Sequence, residues 1–236
     1  MPSKQIIILA NSVKKSAKCV AGIDVGTGKD LTPNGWIRPV SGESEGELKP
    51  HHMRVEGGGA LKVFDIVNVP LTAHAQDAIH PEDWIVDSSM RWTRTGELDP
   101  ATVDALEEQP KDLWLEPGKG SDRVSGSFLS KRPKHQSLYL IRPKNFRVEL
   151  SVRQFFDNPN PTSRRRARFS YRGQDYEMNL TDPVFNETYC GKMPKVGTPT
   201  KTVQPPHGDN CLLCVSLTPL FLYHHWKVVA TVLELP

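Results

Sequence analysis

Five arginines crowd one stretch of this 236-residue chain: Arg164, Arg165, Arg166, Arg168 and Arg172 surround Phe169 and Tyr171. In an extended strand successive side chains alternate between faces. Arg164, Arg166, Arg168 and Arg172 then share one face with Ser170, while Arg165, Ala167, Phe169 and Tyr171 share the other. Guanidinium forks match phosphate oxygens, and aromatic rings offer bases a stacking surface, so the pattern suits a strand that binds a polyanion. The competing reading is an edge strand guarded by charge against aggregation. Lys14, Lys15 and Lys18 in an amino-terminal turn, Arg123, and Trp36 with Arg38 on a nearby strand extend the candidate nucleic-acid-binding set. For the last two the alternative is a core tryptophan and an arginine paired with a carboxylate.

Other motifs are weaker. Cys211-Leu-Leu-Cys214 has the separation of a zinc knuckle, with Cys190, His207, His224 and His225 as possible further ligands. A knuckle needs a tight turn, however, and "CLLCVSL" reads as a strand. Gly26-Thr27-Gly28-Lys29 fails the phosphate-loop spacing, because Ile23 stands where the first glycine belongs and Asp30 replaces the hydroxyl. "GIDVGTG" is similar to the first phosphate turn of sugar kinases over seven residues only, and no second phosphate turn follows. The plainer reading gives Gly26 and Gly28 positive φ in a strand connection. No serine sits in a nucleophile elbow, and Glu107-Glu108 reads as a solvated face. The expectation is a noncatalytic protein without a cofactor or resident metal. An enzyme acting through Asp122, Arg123 and Asp182 is the least favoured option.

The elements that must carry these residues are short strands. Twenty prolines and seventeen glycines are spread along the chain, with 37% apolar and 24% charged residues, a composition that folds but interrupts long helices. The net charge of +3 is too small to identify a partner, so local clustering decides. No stretch approaches the roughly 20 apolar residues of a membrane span. With four cysteines and no export signal, the expected setting is cytoplasmic, with reduced thiols and no membrane partner. "QIIILAN", "KCVAGIDV" and "GWIRPV" predict a meander, the front half of a small barrel. "LKVFDIVNVPL", "SLYLIRP", "FRVELSV", "CLLCVSLTPLF" and "WKVVATVLEL" predict further strands, and "RRRARFSYRGQDYEMNL" two strands turning at Arg172-Gly173-Gln174. "DPATVDALEEQP" predicts one helix capped by Asp99, and residues 192–209 a surface loop.

The predicted architecture is mainly β, two OB-like small barrels in tandem, possibly intertwined, over residues 1–118 and 119–236, with one short helix between them. The segments "IIILANSVKKSAKCVAGID", "GWIRPVS", "DRV", "SLYLIRP", "FSYRGQDYEMNLTDP", "CVSLTPLF" and "HHWKVVATVLE" together resemble the bacterial dual OB domain-containing proteins. Asn11, Ser12, Cys19, Gly22, Trp36, Ile37, Arg38, Pro39, Asp122, Arg123, Tyr171, Asp182, Pro183 and His225 match its motifs, whereas Trp226 stands where a tyrosine is expected. The resemblance implies two OB barrels, a cytoplasmic bacterial setting and binding of single-stranded DNA or RNA, in defence or mobile-element systems. It supplies no catalytic residues. The alternative is a protein-interaction or specificity subunit that docks a protein partner through a sheet edge or the 192–209 loop.

Overall fold

The computed structural model describes residues 3–14, 17–26, 32–43, 46–132, 135–155 and 158–236. Strand outweighs helix, 49% against 10%, so the molecule is mainly β. The chain packs as two compact units, one of residues 1–107, 132–138 and 236, the other of residues 108–131 and 139–235. The predicted division at 118/119 falls inside the second unit. The first unit also recovers a later segment, where Ser137 donates from N and Oγ to the Glu82 carboxylate at 2.6 and 2.8 Å.

In the first unit β1 (Ser3–Lys14), β2 (Ala17–Asp24) and β3 (Trp36–Val40) form the predicted meander, followed by β4 (Asp65–His74), β5 (Asp83–Val86) and β6 (Thr93–Glu97). The order β1-β2-β3-β5-β4 closes on itself through β1–β4, and β3 runs parallel to β5. This is the five-stranded OB barrel. Long β1 makes closure possible: Ser3–Ile7 pair with β4, while residues from Ile6 onward pair with β2, with a bulge between Ile8 and Ala10. Alternate residues Ile6, Ile8, Val67, Val69 and Leu71 pack with Val20, Ile37 and Trp92 in the core. Gly22 is required where β2 crosses β1, because a Cβ there would lie 2.1 Å from the Ile7 carbonyl oxygen.

The second unit contains β7 (Arg123–Val124), β8 (Leu138–Ile141), β9 (Lys144–Phe155), β10 (Asn158–Tyr171), β11 (Gln174–Leu180), β12 (Lys201–Val203), β13 (Cys211–Phe221) and β14 (His224–Glu234). Its sheet runs β12-β9-β10-β11-β14-β13-β8, with β11 parallel to β14. Only Arg142 and Pro143 separate β8 from β9. These two strands therefore occupy the place of the single long β1: β8 lies on β13 and β9 on β10, so the chain itself links the β8 end of the sheet to β9, with β12 added outside β9. β9, β10, β11, β13 and β14 thus repeat the roles of β1, β2, β3, β4 and β5, which gives two OB-like β units as predicted.

Local differences have local causes. Asp99 caps its segment as expected, accepting from Ala101 N at 3.0 Å, but Pro100–Leu106 is a 3₁₀ helix rather than an α-helix. Its only buried side chain is Val103, and Thr, Val and Asp are weak α-formers. The predicted 192–209 loop contains the edge strand β12, which pairs with β9. Gly26 has φ +64° as expected of a turn glycine, while Gly28 and Lys29 lie outside the described residues. Cys211 and Cys214 sit within β13, opposite Glu234 and Thr231. Burial pushes the Cys211 thiol up to about 12, with Asp209 and Glu234 adding to it, and burial raises Cys214 as well.

Two outcomes follow from this packing. Gly22→Ala should lower stability by about 3 kcal/mol, the upper part of the overpacking range, read as a shifted urea midpoint with unchanged slope; an unchanged midpoint would show that β1 can retreat. At pH 8 only half-exposed Cys19 should react with a thiol reagent in the native protein, with Cys190, Cys211 and Cys214 reacting on unfolding. Rapid native labelling of Cys214 would contradict its burial.

Candidate functional site

Strand β10 fulfils the predicted alternation. Ala167, Phe169 and Tyr171 are buried, while Arg164, Arg166, Arg168 and Ser170 are half-exposed on the opposite face. β10 is the second strand of its barrel and β11 the third, which makes this the barrel face on which OB folds usually hold oligonucleotides. The face is graded in charge. Arg168 lies opposite Arg147 and Glu177, Arg166 opposite Glu149 and Asn179, and Arg164 opposite Ser151, with Arg153 diagonal to it.

Carboxylates answer the lower arginines. Arg168 places Nε 2.6 Å from Glu149 and Nη2 2.7 Å from Glu177. Arg166 lies 3.5 Å from Glu177 and 3.4 Å from Asp122. At Arg164 burial first, then the like charges of Arg166 and Arg153, hold the guanidinium pKa below its ordinary value, against the opposing effect of Glu177 and Asp122. Arg153, Arg164 and Arg166 thus neighbour one another on this face.

From there the surface continues to an aromatic element. Asp122 accepts from Arg166 and, at 2.9 Å, from Arg123 Nε. The Arg123 guanidinium lies over the Trp226 ring, 4.3 Å from its centroid. Trp226 in turn donates Nε1–H to the Phe221 carbonyl at 3.2 Å, at the base of the β13–β14 hairpin. Phe221 pairs with His224, leaving Leu222 and Tyr223 as a two-residue turn with φ of 48° and 66°. Such turns favour Asn-Gly, and two bulky residues there cost about 1 kcal/mol or more each. Leu220, Phe221, Leu222 and Tyr223 are 63, 62, 65 and 87% exposed. His225 faces inward instead, its Nδ1 donating to the Thr218 carbonyl at 2.8 Å and fixing the bulge at the base of the hairpin.

The remaining predicted residues lie elsewhere. Trp36 is core, and Arg38 is bound to Asp83 at 2.6 Å. Burial works against the Arg38 charge, but Asp83, with Glu82 behind it, more than restores it and holds the pKa above its ordinary value. These two residues do not form the expected aromatic and cationic surface, because Trp36 is buried and Arg38 lies opposite Asp83 of β5, which holds it. Tyr171 is likewise inward and donates to the Pro110 carbonyl at 2.9 Å, and Phe169 stacks on Tyr176 in the core. Arg172 leaves the basic face at the turn, where φ is 49°, and donates to the Gln109 carbonyl. Lys18 is half-exposed in the first unit. Lys15 and the side chain of Lys14 lie outside the described residues.

Asp182, one of the acids considered for chemistry, is committed to structure. Its two oxygens accept from Phe185 N at 3.0 Å and Val232 N at 2.9 Å, and burial raises its pKa despite these amides. Among the described residues two clusters have metal-ligating side chains, Glu43-His51-His52 and Asp77-His80-Asp83. In each a cation already occupies a carboxylate: Lys49 on Glu43 and Arg38 on Asp83, both at 2.6 Å. The residues that sequence reasoning missed are Arg153, Phe221, Tyr223 and Trp226. Apolar residues at a hairpin tip look like strand core in a sequence window.

No curated protein and no solved structure matches the chain. A family model described as the dual OB-containing domain matches residues 4–232, nearly its whole length. With a closed barrel in the first unit and the same strand order repeated in the second, the chain belongs to the dual OB-containing domain family.

Proposed function

We propose that this protein is a noncatalytic binder of single-stranded DNA or RNA, working through the second barrel. The observation that carries the reading is geometric: Arg164 and Arg166 stand on the outward face of β10 with Arg153 diagonal to Arg164 on β9, a row of guanidiniums that can meet successive phosphates. Phosphates lie along these guanidiniums, and unpaired bases stack on Trp226, Phe221 and Tyr223 at the hairpin. The strained turn fits this role, since strain is retained where it presents side chains for use. A cytoplasmic bacterial setting and a place in defence or mobile-element systems belong to the same reading and rest on the family resemblance.

A second reading has its own observation. Leu220 and Leu222 flank the aromatic residues at the tip, and aliphatic side chains at this exposure suit a protein cleft. The protein would then be an interaction or specificity subunit docking through this hairpin.

Two measurements separate these readings. Binding of fluorescent oligo(dT) and oligo(U) should weaken with salt, and Arg153→Ala with Arg164→Ala should cut affinity at least tenfold and flatten the log–log salt slope by about 1.4, near 0.7 per lost contact. Salt-independent binding, or no binding, rejects the nucleic-acid reading. Phe221→Ser with Tyr223→Ser should cost about 1–3 kcal/mol per lost stacking partner. Unchanged oligonucleotide affinity with loss of a co-purifying protein would assign the tip to protein docking.

A further inference from the structure

One arginine of β10 stands on the other side of the strand. Arg165 shares the inward face with Ala167, Phe169 and Tyr171, at the point where burial along that face gives way, and is itself half-buried. Its Nε is buried without a hydrogen-bond partner, and among the described residues no carboxylate pairs with its guanidinium. A buried donor left unmade loses its hydration without return, so such a group in a folded protein calls for a ligand or another compensation.

Register places a second cation beside it. Arg165 lies opposite Leu150 of β9, and Leu150 opposite Lys201 of β12. Directly opposed residues share a face, so the two cations flank the buried Leu150 with Cα atoms roughly 10 Å apart, two strand spacings. Lys201 donates one N–H to the Cys190 carbonyl at 3.3 Å and keeps its other donors for further partners. Burial raises the pKa of the Cys190 thiol, and Arg165 and Lys201 both pull against that rise, so the two cations act on one spot. Asp182, the acid that acts there with burial, has its oxygens committed to Phe185 N and Val232 N.

We infer that Arg165 and Lys201 form an anion site for a phosphate monoester, on the opposite side of β10 from the outward arginines. Two positive charges without a carboxylate match the charge of about −1.5 to −2 that a monoester carries near pH 7 better than the single charge of a diester. The guanidinium fork takes two oxygens, the ammonium a third, and Leu150 supplies a dry floor that strengthens both. The monoester is a free phosphate group or the 5′-phosphate end of a strand. This site does not depend on the reading above.

The test titrates the full-length protein at constant ionic strength with inorganic phosphate, and separately with 5′-phosphorylated and 5′-hydroxyl oligo(dT) of one length, following the Arg165 Nε–Hε resonance. A saturable shift with phosphate marks a site for a free phosphate group. A shift with the phosphorylated strand that the hydroxyl strand lacks marks a strand end. Arg165→Met and Lys201→Met should each weaken that binding by about tenfold or more, the value of a hydrogen bond to a charged group. Without phosphate Arg165→Met should melt at or above the wild type, and added phosphate should raise the melting temperature of the wild type alone. A variant that melts well below the wild type without phosphate would make Arg165 structural and overturn the inference. So would an Arg165 signal that no probe moves, or one that both oligonucleotides move equally and phosphate does not. If phosphate shifts Arg165 while neither oligonucleotide binds, this site stands and the nucleic-acid reading falls.

Discussion

Strand β10 has no freedom of register. Its side chains alternate between a barrel interior that accepts Ala167, Phe169 and Tyr171 and an exterior that accepts Arg164, Arg166 and Arg168. A slip of one residue would drive three guanidiniums into the core, and burying unpaired charge costs far more than any hairpin contact returns. β9 and β11 fix that register from both sides, opposing Ser151, Glu149 and Arg147 along one edge and Asn179 and Glu177 along the other. Where the outward arginines stand is therefore decided by strand pairing. The free ends of long side chains have little say in it.

The same pairing logic builds both units. One long first strand must serve two neighbours for a five-stranded sheet to close. β1 does so with a bulge at Ile8–Ala10, and the second unit does so by breaking at Arg142-Pro143 into β8 and β9. Proline lacks the amide a continuous ladder needs, so a break there costs least. The units diverge in what they show to solvent. The first buries Trp36 and neutralises Arg38 with Asp83, whereas the second keeps its cations on the face and extends an apolar hairpin beside them.

Much of this was legible in the residues. Period-two alternation located the strands and the outward face of β10, and Arg172-Gly173 marked its turn. Asp99 marked a helical start, although not that its helix would be 3₁₀. What failed shares one cause: a strand pattern gives faces but not what lies across from them. Trp36 and Arg38 share a strand face by spacing, yet their exposure depends on β5, which arrives more than 40 residues later. Tyr171 belonged to the inner face by the same alternation that put the arginines outside, so it could not serve beside them. The neutralisation of Arg168 needs Glu149 and Glu177 from two other strands. The hairpin tip was hidden for a different reason, because Leu-Phe-Leu-Tyr between two strands has the composition of a core and not of a turn.

The central claim is the proposal that a single strand lies along the outward arginines of β9 and β10. Its most direct measurement is the arginine Nε–Hε NMR spectrum during titration with a single-stranded oligonucleotide, with resonances assigned by substitution. The account predicts large shifts at Arg153, Arg164 and Arg166 and a nearly stationary signal from Arg38, which is held by Asp83. Shifts at no arginine of β9 and β10 would contradict it.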